Sequence, residues 1–146
     1  MLDSKDIEIV KSTIPALKQY GEEITKYFYK DMFERYPQVQ GMFDMEKQKN
    51  GKQPKALANA VLNAAMNIEN LDKIRSSIDK IANIHVSLNV KEEHYPIVGE
   101  CLLKAIKGVL GDAATDEILE AWGRAYNEIA KFYIEIEKEL YAAKGK

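Results

Sequence analysis

The apolar residues of this chain recur at intervals of three and four from near one end to the other, and no stretch alternates with a period of two. That spacing lays one oily stripe along each of a series of helices and leaves nothing suited to a half-buried strand. The first segment, about residues 4–20, turns Ile7, Val10, Ile14 and Leu17 inward, with Asp3 or Ser4 as its cap and Gly21 at its end. Pro15 lies inside this pattern, but the phase continues past it, so one helix with a costly or kinked turn is expected. A second segment, about 22–36, carries Ile24, Phe28 and Met32 on one face and Tyr29 and Phe33 on a neighbouring one. Pro37 starts a short turn through Val39 and Met42 to Phe43. Residues 44–52 have no period and no core candidate beyond Met45, and they read as a mobile surface loop.

Gln53-Pro54 opens a third helix, proline being well placed in a first turn, with Leu57, Val61, Ala64, Ile68 and Leu71 as its stripe. A fourth aligns Ile74, Ile78, Ile81, His85 and Leu88 and breaks near Asn89. The fifth, about 92–110, uses Tyr95, Val98, Leu102, Ile106 and Val109 and stops at Gly111. The sixth, about 115–142, has Thr115 as cap, Asp116 and Glu117 in its first turn, and a stripe from Ile118 and Trp122 to Ile136 and Leu140. The expected architecture is all-α: one domain, residues 1–146, with six or more helices about one core.

Composition narrows the function classes. With 46% apolar and 30% charged residues the chain is an ordinary globular one, and a net charge of −2 gives no footprint for nucleic acid or anionic membranes. The single Cys101 excludes an internal disulfide and fits a reducing compartment. The opening residues are too acidic for a secretory leader, and no apolar run approaches the ~20 residues a membrane span requires. A cytoplasmic protein, neither bound to nucleic acid nor inserted in a membrane, is expected.

His85 needs a reason to sit in an apolar stripe. Alone, it is either a satisfied core histidine or an oriented metal ligand. A ligating imidazole normally gives its second N–H to a carboxylate or carbonyl, and Tyr95 and Glu137 could reach the same pocket, Glu137 one turn beyond Tyr133. From its own helix alone, Glu137 reads as a solvated carboxylate, Tyr29 as a half-buried tyrosine and Gln53 as a surface residue. Phe43 and Leu57 read as ordinary core. His94 looks exposed and has no assigned role, and Cys101 packs as a small hydrophobe. Two histidines and one cysteine cannot build a tetrahedral zinc site without carboxylates, and GxGxxG, P-loop, HExxH, CxxC and GxSxG motifs are all missing. A cofactor with one protein ligand is the economical reading, haem being the leading example.

Taken together, Phe28-Tyr29-Lys30, Phe43-Asp44-Met45, Gln53-Pro54-Lys55-Ala56-Leu57, Asn67-Ile68-Glu69-Asn70-Leu71, His85, His94-Tyr95-Pro96-Ile97-Val98-Gly99 and Ala121-Trp122-Gly123 through Tyr126 carry a family resemblance. Over essentially its whole length the chain resembles the single-domain bacterial haemoglobins and the globin half of the flavohaemoglobins. The resemblance implies a globin fold around haem b, with His85 as proximal iron ligand and Tyr95 and Glu137 orienting it. It also implies Tyr29 and Gln53 over the distal face, Phe43 against the macrocycle, and Leu57, Val61, Ile81 and Val98 lining the cavity. Where flavohaemoglobins usually carry a lysine facing their reductase domain, this chain has Ile84. The chain is expected to end with the globin domain and to draw electrons from a separate reductase.

Two functions then compete. One is nitric oxide dioxygenation to nitrate, with Tyr29 holding dioxygen and Glu137 supplying electronic push. The other is oxygen storage or delivery under low oxygen, and a haem-free helical interaction module is the reading from another class. Dioxygen, nitric oxide, and carbon monoxide or cyanide are the expected haem ligands, in a monomer or homodimer.

Overall fold

The structure, a computed structural model, describes residues 2–42, 51–88 and 90–144. Phe43, the 44–50 part of the expected loop and the break at Asn89 lie outside the described residues. Among the described residues six α-helices run in order: α1 Ser4–Ser12, α2 Ile14–Arg35, α3 Lys52–Met66, α4 Arg75–Ser87, α5 Tyr95–Leu110 and α6 Asp116–Ala143. Short 3-10 segments join several of them, and among the described residues there is no strand. No described helix is long and apolar enough to cross a membrane.

Helix starts follow the local chemistry. Asp3, not Ser4, caps α1 by accepting the Asp6 N–H at 2.8 Å, and Thr115 caps α6 by accepting from Ile118 at 3.2 Å. The expected single helix over 4–20 is two helices. Proline lacks the N–H that a helix interior requires, so the chain breaks at Thr13 and Pro15 occupies the first turn of α2. Gly21 does not end a helix either; it is buried within α2, where an added Cβ would lie 3.3 Å from Ala58 Cβ, and its small size lets α2 and α3 approach. Lys52, expected in the loop, already belongs to α3, after Gly51 at φ 80°. At the far end α3 stops at Met66, so Ile68 and Leu71 leave it; Ile68 is still buried, and Leu71 starts a 3-10 turn.

Among the described residues the buried side chains group into two clusters, where one core was expected. The larger joins Val10, Ile24, Phe28, Met32, Cys101, Leu102, Ile106 and Trp122, drawn from α1, α2, α5 and α6. Trp122 Nε1 donates to Thr13 Oγ1 at 3.0 Å, so the helix break supplies the indole's partner. Asp6, also buried, accepts from Arg124 Nε and Nη2 at 2.8 Å each, and the guanidinium holds its carboxyl below the usual range. The smaller cluster joins Ile78, Ala82 and Ile136, with Phe132, Tyr133 and Leu140 packed on it, and docks α4 on the second half of α6. The α4 helix depends on this seam and on the polar contacts beside it.

Candidate functional site

On α4 the inward face is Ile78, Ala82 and Val86, one residue round from the expected stripe. Ala82 gives little hydrophobic signal, yet its small side chain lets α4 sit close against Ile136. Ile81 and His85 are consequently half-buried, and Leu88 is 43% exposed. His85 therefore stands at the flank of a docked helix.

Its partners come from two other helices. His85 Nδ1 lies 2.8 Å from Glu137 Oε2 and 3.3 Å from the Tyr95 hydroxyl. That hydroxyl donates to Glu137, with both carboxylate oxygens at 2.9 Å. Glu137 is 4% exposed, against the solvated position its own helix suggests, because α4 and α5 bring two donors to it. A carboxylate only accepts, so the imidazole proton facing it is on Nδ1, leaving the Nε2 lone pair outward. Nε2 has no hydrogen-bond partner among the described residues, and the side chain is 30% exposed. Burial and the Glu137 charge push the Tyr95 phenol well above its ordinary range, so it stays a donor at any moderate pH.

Further tyrosines brace this group. Tyr126 donates to the Tyr95 carbonyl at 2.8 Å, and its ring fills the space over Gly99, where a Cβ would lie 2.8 Å from the ring. The Tyr133 ring lies 5.9 Å from the imidazole, its hydroxyl pushed up to about 12 by burial and by the Glu137 charge. Both residues read in the sequence as stripe members; only the i, i+4 relation of Tyr133 to Glu137 hinted at more. His94, read as exposed, is half-buried, and its Nδ1 accepts the Lys91 N–H at 2.9 Å. Cys101 is fully buried as expected, its thiol pushed up by burial.

A second polar pair forms between α2 and α3. Gln53 Nε2 donates to the Tyr29 hydroxyl at 3.2 Å, Tyr29 being 5% exposed and Gln53 half-buried. Burial pushes the Tyr29 phenol up to about 12, with the Gln53 bond pulling slightly the other way. Thr25, one turn before Tyr29 and missed in the sequence, is 2% exposed and donates to the Pro54 carbonyl at 2.9 Å. It ties the first turn of α3 to α2 beside the Gln53–Tyr29 pair. Leu57, Val61 and Val98 are half-buried, packed against the larger cluster.

These residues suit a planar apolar cofactor with one axial nitrogen ligand. An outward imidazole lone pair, its other nitrogen held by a buried carboxylate, is the donor such an iron requires. Half-buried apolar side chains, rather than charges, accompany it on α3, α4 and α5. Among the described residues no group of three or more His, Cys, Asp or Glu is placed to hold a bare metal ion.

Residues 26–132 match the model of the Globin family. A flavohemoprotein of Oceanobacillus iheyensis is 55% identical over 144 residues, covering 99% of this chain and 36% of its own length. The chain thus spans about a third of the curated relatives it matches. Among solved structures, a bacterial globin from Campylobacter jejuni superposes with a TM-score of 0.92 at 57% identity, covering 96% of this chain and 99% of that one. A flavohemoglobin from Malassezia yamatoensis, with bound FAD and heme, gives 0.89 at 34% identity over 97% of this chain and 38% of its own.

Proposed function

Since the chain belongs to the globin family, we propose that it binds haem b through His85 and converts nitric oxide and dioxygen to nitrate. The observation that carries this reading is the buried carboxylate 2.8 Å from His85 Nδ1, shared with Tyr95. When bound, haem supplies the redox iron at which the two gases combine, and a separate reductase restores its electron each cycle. The rest falls to the chain's own residues. Glu137 draws the Nδ1 proton toward itself and makes His85 a stronger donor than a backbone carbonyl would, which favours oxidative chemistry over storage. Tyr95 fixes the carboxylate so that it cannot rotate away from the imidazole. Tyr29, a hydrogen-bond donor held in a dry place, would hold dioxygen once it carries partial negative charge, and Gln53 orients the phenol.

Phe43, Leu57, Val61, Ile81 and Val98 are assigned to the cofactor cavity, residues 1–146 to the globin domain, and the cytoplasm to its location. Carbon monoxide and cyanide are expected as competing ligands. The absorption spectrum of the purified protein, with and without dithionite and carbon monoxide, tests the cofactor, and His85→Ala should abolish the haem bands. Reduced protein in aerated buffer mixed with nitric oxide should turn ferric within milliseconds and yield one nitrate per haem. A slow or nitrate-free conversion would move the assignment to oxygen storage, which the Tyr29–Gln53 pair would serve equally well.

A further inference from the structure

His85 and Tyr95, the two residues that Glu137 bonds, flank one connection: His85 lies in the last turn of α4, and Tyr95 opens α5. The middle of that connection is held by another residue of α6. Tyr141, one turn beyond Glu137, donates its hydroxyl to the Val90 carbonyl at 2.6 Å. Val90 N–H donates in turn to the His85 carbonyl at 2.9 Å. The Lys91 ammonium rests 4.3 Å from the centre of the Tyr141 ring, and the Lys91 N–H holds His94, the residue before Tyr95. Helix α6 therefore grips His85 twice, by its side chain through Glu137 and by its backbone through Val90 and Tyr141. One grip would let the end of α4 pivot about the carboxylate; two fix the rotation of the imidazole.

We propose that Tyr141 is a positioning residue for His85, setting the alignment of the imidazole with Glu137 through the Val90 corner. The inference rests on His85 as the iron ligand, and its test keeps the two apart. Tyr141→Phe keeps the ring and its contact with Lys91 and removes one hydroxyl. In the purified full-length protein, Val90 and Leu88 amides should exchange roughly fivefold faster, the equivalent of one lost hydrogen bond, with amides around Trp122 unchanged. The His85 Nδ1–H resonance should shift, and in the haem-loaded protein the ferric/ferrous midpoint should rise as Glu137 loses alignment. Combined with Glu137→Gln, the midpoint shift should fall short of the sum of the single variants, because both act through one bond. Faster local exchange with an unmoved His85 resonance and midpoint would make Tyr141 a mere helix-end contact and overturn the proposal. So would a uniform rise in exchange along the chain, or an additive double variant. A protein without haem bands would sink the functional reading, whereas the exchange and resonance measurements would still judge Tyr141.

Discussion

Glu137→Gln removes a charge from the centre of the site while keeping its shape. Tyr95 lies 2.9 Å from both carboxylate oxygens, and His85 Nδ1 lies 2.8 Å from one of them. In the variant the amide oxygen can still accept from both His85 Nδ1 and the Tyr95 hydroxyl, as one carboxylate oxygen does now, so neither of those donors is orphaned. What changes is the strength of the bond to His85. Hydrogen bonds to charged acceptors contribute about 1.5–3 kcal/mol and neutral ones about 0.5–1.5, a difference of about 1 kcal/mol. That loss falls mainly on ferric iron, which gains more from an electron-rich imidazole. At about 59 mV per tenfold change for one electron, the midpoint should rise by roughly 40 mV. Folding stability should move less, because the variant is also relieved of burying a charge. Spectroelectrochemical titration of both proteins reads the first quantity and urea unfolding the second. A midpoint unchanged within ~10 mV would mean that Glu137 does not tune the iron, and the proximal argument would fail.

Four further outcomes rest on contacts elsewhere in the fold. Tyr29→Phe should speed oxygen dissociation about fivefold or more, the worth of one hydrogen bond, and an unchanged rate would remove Tyr29 from ligand binding. The same variant should be less sensitive to alkali: with the folded phenol at about 12, the wild type binds a proton that the unfolded chain has lost above pH ~10, so its stability falls as pH rises between those values, by about 2–3 kcal/mol from this group. Gly99→Ala should cost about 1–3 kcal/mol in urea unfolding because it meets the half-buried Tyr126 ring, which its bond to the Tyr95 carbonyl holds in place, whereas Gly108→Ala should cost under about 1, since Tyr27, whose ring it meets, is 44% exposed and can swing away; equal costs would refute the packing argument. Asp6→Asn should flatten the acid limb of the stability profile: with a lowered carboxyl pKa, the Arg124 pair contributes above pH ~4 and is lost as pH falls through the folded value.

Much of the fold was legible because helical stripes and caps are local. Spacing along the chain placed the helices from α3 onward, but it divided α1 and α2 at Gly21 and not at Thr13; Asp3 and Thr115 serve as caps as their chemistry suggested. Where local signals conflicted, at Pro15 and Gly21, the physical chemistry of proline and the packing of Ala58 decided, and neither is visible in apolar period alone. His85 could be singled out because a histidine in an apolar stripe is unusual; Tyr95 and Glu137 were candidates for its pocket from their positions, and their orienting role came by way of family resemblance.

What the sequence determined by itself was the helical type of the elements, where most of them lie, and the residue worth asking about. What only the tertiary structure decided was how that residue is held. The rotation of α4 that leaves His85 at its flank depends on how closely Ala82 docks on Ile136, a contact between helices far apart in the chain. The burial of Glu137, and the grip of Tyr141 and Tyr126, likewise depend on donors and acceptors that three helices bring together. Helical period is set by backbone geometry within a few residues, whereas a buried charge is tolerated only where distant groups converge to satisfy it.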